Sequence, residues 1–308
     1  MNGETLSYIL KRIILAAGTV FVVITVTFFV MHAVPGGPFL GEKALSMSAL
    51  EALEKKYGMD KPLFSQYVTY LSDALRLDFG PSLKQRGRLV MDLIREGLQV
   101  SARLGLSAGA VATVSGVVLG AFAALRRNRL ADKLIMVTTT AFVSMPSFII
   151  GTLLLLLFAV KWMLVPANGA MAGGQLLPIV TLALYPTAYI TRLTRSSMLD
   201  VLGQDYIRTA RAKGVSTGRI VFGHALKNAL APVITYLGPM IAYIVTGSLV
   251  VEKIFAVPGI GRAFVSSITD RDYPVIMGTT IVLSVLIVGM NLVSDILYKV
   301  VDPRIRLE

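Results

Sequence analysis

The sequence predicts an all-α, polytopic membrane protein with six transmembrane helices and a small helical insertion after the first. Three observations predict it. Hydrophobic residues make up 55% of the 308, and the mean hydropathy is +0.70. Charged residues make up only 16%, whereas a soluble chain carries about a quarter. Several apolar runs reach the roughly 20 residues that a helix needs to cross a hydrocarbon core about 30 Å thick. These runs lie at about 12–34, 99–125, 134–160, 176–195, 229–252 and 275–298. They divide the chain into a first helix with its N-terminal flank (1–34), an extramembrane helical region (35–98) and a core of five helices (99–308). The core carries a basic loop at about 196–228.

The net charge of +12 is distributed as a topology signal. Basic residues gather at Lys11-Arg12, in 126–133, in 192–228 and from Lys299 onward. The short segments 161–177 and 253–274 hold only Lys161, Lys253, Arg262 and Arg271. The positive-inside rule therefore predicts both termini in the cytoplasm, and nucleic acid is not expected as a partner. Lys11-Arg12 resembles the charged start of a signal peptide. The apolar run that follows is too long for one, and "HAVPGGPF" is a poor cleavage site, so the first helix is expected to be retained. With no cysteine, the chain has no disulfide, thiolate metal site or cysteine nucleophile.

The insertion reads as three helices. "SMSALEALEKKYGMDKP" has Ser48 as a cap, Glu51 three residues later and Gly58 at its stop. "LFSQYVTYLSDALRLDFGPS" places Leu63, Tyr67, Tyr70, Leu71 and Leu75 on one face and stops at Gly80-Pro81. "RLVMDLIREGL" is the third. Together they form either a cap on the outer mouth or a docking surface for an external partner. In the second span, Gly105, Gly109, Ala112, Gly116 and Gly120 recur at spacings of three or four, which lets backbones approach closely. Pro146 in "FVSMPSF" and Pro186 in "LALYPTAY" each remove a mid-helix donor and can kink spans three and four. Kinked walls suit a transport path, and a static kink filled by Ser144 or Thr187 is the alternative. Glu252 and Asp295 are ionisable groups close to the ends of spans five and six.

Catalytic chemistry is missing. No G-x-x-x-x-G-K-[ST] occurs, and "PGIGRAF" holds two of the three glycines of a dinucleotide fingerprint. His32 and His224, the only histidines, fall at opposite ends of the predicted topology, and neither H-E-x-x-H nor G-x-S-x-G is present. An enzyme is not expected, and neither a catalytic residue nor a metal site is assigned.

The basic loop "QDYIRTARAKGVSTGRIVFGHALKNALAP" reads as a short helix ending near Lys213, a left-handed turn at Gly214 and a restart near Ser216-Thr217. Three readings compete: a solvated connector, a surface helix on anionic lipid, or an element that inserts into a cytoplasmic partner. The run resembles the cytoplasmic loop of ABC-importer permeases, E-A-A-x-x-x-G followed after nine residues by I-x-L-P. Ala210 and Gly214 match, His224 to Lys227 occupy the last four positions, and Leu226 matches there. Arg208 and Thr209 depart from it, as in the variant "RTARAKG…HALKNAL" of the peptide-importer branch. "PGGPF", "DFGPS", "EKIFAVPGIGRAF", "RDYP" and "VDPRIR" extend the resemblance along the chain. The chain resembles the B-type permease subunit of oligopeptide or dipeptide ABC importers.

That resemblance implies the type I importer fold in the bacterial cytoplasmic (inner) membrane. It implies a homologous C-type permease, one or two ABC ATPases holding ATP and Mg, an external substrate-binding protein and a peptide substrate. No cofactor would bind this chain itself. The short helix would couple to the ATPase, with Ala210, Ala212 and Gly214 giving close fit and Arg208, Arg211 and Lys213 polar contacts. Thr209, His224 and Leu226 complete the coupling set. The expected substrate path is wide, small and polar, with Ser144, Pro146, Thr187, Thr246 and Ser248 as candidates. A permease for nickel, haem or another non-peptide ligand is the alternative within the family. A secondary transporter and a membrane scaffold are the rivals outside it.

Overall fold

A computed structural model of the chain describes residues 3–35, 37–38, 51, 55, 58–245 and 248–301. Most of the helix expected from Ser48 to Gly58 lies outside the described residues. So do most of "VDPRIR", Thr246 and the side chain of Asp295. The described residues are helical, with no strand beyond an isolated bridge between Pro81 and Leu89. Among the described residues, five helices are long and apolar enough to cross a membrane, or six when the bent pair Leu130–Ser144 and Ser147–Lys161 is counted as one span. The chain is therefore all-α and polytopic.

Backbone packing divides the chain into two compact units, Met1–Val100 with Gly259–Gly289, and Ser101–Pro258 with Met290–Glu308. Two helices run from one unit into the other. These are α3 (Val90–Leu125) and α13 (Tyr273–Val301).

The first unit also holds α1 (Gly3–Ala33), α2 (Leu63–Leu75) and α12 (Ile260–Asp270). Ile24, Phe28, Tyr67, Phe79, Val90, Ile94, Ile260 and Met277 form its core. The Tyr67 hydroxyl shares a 2.6 Å hydrogen bond with Thr25 Oγ1, and its ring packs against Phe28 and Phe29. Thr25 lies eight residues, about 12 Å along a helix, before the end of α1. Helix α2 thus lies beside the last turns of the first span. Its inward face is Tyr67, Tyr70, Leu71 and Ala74. Leu63 and Leu75, at its two ends, are exposed and lie beyond that contact. The "DFGPS" and "RDYP" motifs interlock: buried Asp272 accepts hydrogen bonds from Ser82 Oγ and from the backbone N–H groups of Leu83 (3.1 Å) and Lys84 (3.3 Å).

Two elements differ from expectation. The predicted helix at "RLVMDLIREGL" is continuous with span two as α3, because nothing between Val90 and Leu125 breaks it. Gly97 serves close packing, since a Cβ there would stand 2.9 Å from the Ile260 nitrogen. Helix α12 lies in 253–274, which the sequence places as a short outer segment between spans five and six. Gly259 instead begins a helix whose Ile260 and Ser267 are buried.

The second unit contains α4 (Leu130–Ser144), α5 (Ser147–Leu154) with a π-helical continuation Leu155–Lys161, and α6 (Leu176–Leu202). After α6 come α7 (Asp205–Ala212), α8 (Thr217–Arg219), a π-helical stretch Ile220–Ala225 and α9 (Leu226–Ala229). Helices α10 (Ala231–Val245) and α11 (Leu249–Ile254) close it. The third span is broken by 106° between α4 and α5. Pro146 forces this: the residue before a proline is pushed out of the helical region, and Met145 is extended at φ −91°, ψ 130°.

The small-residue stripe of α3 is shared between two neighbours. A Cβ on Gly105 would lie 2.7 Å from the Ile244 oxygen of α10. One on Gly116 would lie 2.7 Å from Ile190 Cβ, and one on Gly120 would lie 2.6 Å from the Thr191 oxygen, both on α6. At Gly109 the nearest atom is the flexible end of Met240, at 3.5 Å. Gly120→Ala must therefore push α3 and α6 apart, at about 1–3 kcal/mol. In a thermal-unfolding assay of the detergent-solubilised protein, Gly120→Ala is expected to lower the midpoint by several degrees and Gly109→Ala to leave it nearly unchanged.

Candidate functional site

The residues singled out for coupling fall on one protruding segment. Helix α6 ends at Leu202, Gly203 and Gln204 turn the chain, and α7 begins at Asp205; Gln204 is extended at ψ 151°. The expected continuous helix from Leu199 is thus two helices separated by a corner. The C-terminus of α7 is closed by paired backbone bonds: Gly214 N–H donates to the Arg211 oxygen (2.9 Å) and Val215 N–H to the Ala210 oxygen (3.1 Å). This closure requires a left-handed residue, and Gly214 has φ +77°. A Cβ on Gly214 would meet no atom within 4 Å, so glycine serves the backbone conformation here and does not relieve crowding.

Helix α7 is strongly two-faced. Ile207 is fully buried, and Ala210 and Val215 pack with it against Met198, Ile220, Val221, Ala225 and Ala229. That cluster fixes the base of the segment. Arg208, Thr209, Arg211, Ala212, Lys213 and Gly214 are exposed, with His224 exposed and Leu226 half-buried beyond them. The Arg208–Asp205 contact, 3.5 Å between exposed side chains, contributes little. Two residues that the sequence reading passed over join this surface. Phe222, 75% exposed, projects from the π-helical stretch. Tyr206, also exposed, accepts a 3.0 Å hydrogen bond from Asn228 Nδ2 and braces α7 against α9. An exposed phenylalanine beside a basic helix was the available signal, masked by the surrounding apolar sequence.

The path candidates are not gathered in one place. Ser144 and Pro146 are exposed at the break between α4 and α5. Thr187 is half-buried, shares a 3.0 Å hydrogen bond with Ser115, and its carbonyl accepts from Thr191 Oγ1. Ser248 caps α11 through its Oγ, which accepts from Val251 N–H. Glu252 is fully buried and takes a 2.7 Å hydrogen bond from Ser101 Oγ.

A buried ion pair connects α4 to α6 just ahead of the protruding segment. Arg195 Nε and Nη2 lie 2.6 and 2.8 Å from the two oxygens of Asp132, and Asn128 N–H donates to the same carboxylate at 2.8 Å. The carboxylate is 3% exposed. Fork-to-fork geometry fixes direction as well as distance. The pair therefore ties the end of α6 to the start of α4.

The profile of the family described as binding-protein-dependent transport system inner membrane component matches residues 116–307, and that of its N-terminal part matches residues 5–80. The chain is 48% identical over 301 residues to the dipeptide transport system permease protein DppB of Bacillus subtilis (strain 168), covering 97% of this chain and 98% of that protein. It is 42% identical over 304 residues to the oligopeptide transport system permease protein OppB of Haemophilus influenzae, covering 98% and 99%. To the DppB of Lactococcus lactis subsp. cremoris it is 44% identical over 301 residues, covering 97% and 99%.

Removing Asp132 leaves Arg195 partly buried and without its partner, at a cost below the roughly 3–5 kcal/mol of a fully buried orphaned charge. Asp132→Ala is expected to lower the unfolding midpoint sharply, and adding Arg195→Leu to recover part of the loss. Equal destabilisation by the single and double variants would contradict this account.

Proposed function

Because the chain belongs to the family of binding-protein-dependent transport system inner membrane components, we propose that it is the membrane-spanning subunit of an ATP-driven peptide importer. It forms half of the translocation path and receives mechanical work through residues 204–228. The names of its relatives, dipeptide and oligopeptide permeases, favour peptides over nickel or haem as the substrate. The observation that carries the coupling role is α7 itself. It is a short helix anchored by Ile207, closed at Gly214, and presenting Arg208, Arg211 and Lys213 outward. A stiff element with a buried base transmits force, whereas a loose connector would absorb it.

The sequence has no phosphate-binding loop, so the energy source lies in other chains. The reading assigns ATP and Mg to one or two partner ATPases in the cytoplasm. A C-type permease supplies the other half of the path, and an external binding protein delivers the peptide. Both termini and the 204–228 segment then lie on the cytoplasmic side. Ser144, the last residue of α4, borders an exposed, non-helical piece of backbone at Met145 and Pro146. Such backbone is tolerated where it lines a water-filled space. Thr187 and Ser248 hold structural bonds, and contribute to the path at most as part of its wall.

The test uses the whole complex in proteoliposomes. Gly214→Val forces a β-branched residue into a left-handed conformation and is expected to abolish peptide uptake, while the chain still inserts and binds its partner permease. Gly214→Asn, which tolerates that conformation, is expected to keep a substantial part of the activity. Uptake with normal ATPase stimulation in Gly214→Val would overturn the coupling role. The chain has no native cysteine, so single cysteines report topology cleanly. A membrane-impermeant maleimide is expected to label Ala170→Cys in intact cells, and Ser216→Cys only after permeabilisation.

A further inference from the structure

Helix α6 is the most enclosed helix of the second unit, packed against α3, α4, α5 and α10. It keeps one open face: Tyr185, Tyr189, Ser196 and Asp200 are exposed, and Arg192 lies half-buried among them. Tyr185 and Tyr189 are 48% and 41% exposed. This face does not suit lipid. Between Leu106 and Leu119 the exposed positions of α3 in the same unit are apolar except Ser107, as a lipid-facing surface requires. Two tyrosines, an arginine and a serine in a row require water or a polar ligand.

Arg192 is the charged member. Its Nη2 donates to Thr140 Oγ1 at 2.7 Å, and that hydroxyl donates in turn to the Met136 carbonyl. Its Nε is buried and has no hydrogen-bond partner among the described residues. The carboxylate of α4, Asp132, is gripped by Arg195 from both oxygens. Among the described residues Arg192 therefore has no carboxylate partner. Thr140 lies eight residues, about 12 Å, farther along α4 than Asp132. The guanidinium thus points into the span and away from the end of α6, opposite to the direction of snorkelling toward headgroups. One turn beyond Thr140 stands Ser144, at the break before Pro146. Tyr189 packs on Tyr236 of α10 at 4.3 Å, giving the face a firm aromatic wall.

We propose that Arg192 is a binding residue of the translocation path that takes the C-terminal carboxylate of the passing peptide. Tyr185 and Tyr189 line the approach, and Thr140 holds the guanidinium in place. The inference rests on the reading of the chain as a peptide importer and names the ligand group for it. A path that admits many side chains can still recognise what free peptides share, and a terminal carboxylate is the anion among those features. A guanidinium matches a carboxylate in geometry as well as charge.

The experiment compares uptake of trialanine with uptake of trialanine amide by the whole complex, with its own binding protein, in neutral-lipid and in anionic-lipid vesicles. The variants are Arg192→Gln and Arg192→Lys. Arg192→Gln is expected to slow trialanine by about tenfold or more while leaving the amide nearly unchanged, so that the acid-to-amide ratio collapses. Arg192→Lys is expected to restore the ratio in part, because it keeps the charge and loses the fork. Equal slowing of both peptides would overturn the proposal, as would an unchanged ratio. Loss of the partner permease on purification, or an effect seen in anionic vesicles alone, would do so in favour of a subunit contact or a lipid phosphate. A wild-type complex that imports neither peptide would instead refute the peptide-importer reading.

Discussion

Contact between the backbones of α3 and α6 is the constraint on which the second unit depends. Gly116 and Gly120 bring the two helices so close that no methyl group fits between them. Lipid offers no hydrophobic drive for helices to associate, so this interface relies on dispersion and on the absence of side chains. With α3 held there, α6 turns Ala183, Ala188, Ile190 and Thr194 inward and leaves a single face open. Pro186 falls on the buried side, where its missing donor is enclosed by neighbours. The polar face, the position of Arg195 against Asp132 and the direction in which α6 delivers the chain to α7 all follow from that seat.

The segment that follows α6 poses a different problem. The proposed coupling role requires it to be stiff, yet only eight residues form its helix. Helices this short are unstable alone. Tertiary anchoring and end closure supply the stiffness. Ile207 sits in an apolar socket, and the pair of bonds into Gly214 satisfies the last carbonyls. One hydrophobic residue and one backbone conformation thus allow a row of basic side chains to remain outside. The Asp132–Arg195 fork links α6, which leads into this segment, to α4, which ends at the break before Pro146.

Much of this was legible in the residues because membrane helices are written in long apolar runs, and glycine and proline interrupt them for stereochemical reasons. Gly214 marked its turn and Pro146 its break in this way. Apolar runs carry little information about partners. The stripe from Gly105 to Gly120 reads as one face in sequence, yet it serves two neighbours. Glu252, read as close to a membrane surface, is fully buried, and only the fold brings Ser101 to it from 151 residues away. Arg192 was the largest omission. It follows an apolar run and precedes a basic loop, so its charge was counted toward topology. Its distinction from Arg195 depends on which of the two reaches Asp132, and that is a matter of helix rotation. The role of α12 was hidden for a local reason: "PGIG" has the composition of a turn, and Gly259 only opens the helix.

The bond between Tyr67 and Thr25 bears on how the chain is made. Tyr67 docks on Thr25, Phe28 and Phe29 in the last turns of α1. Helix α2 therefore has no docking surface until α1 has formed. Expressed without the first helix, it would present Tyr67, Tyr70 and Leu71 to solvent as a surface prone to association.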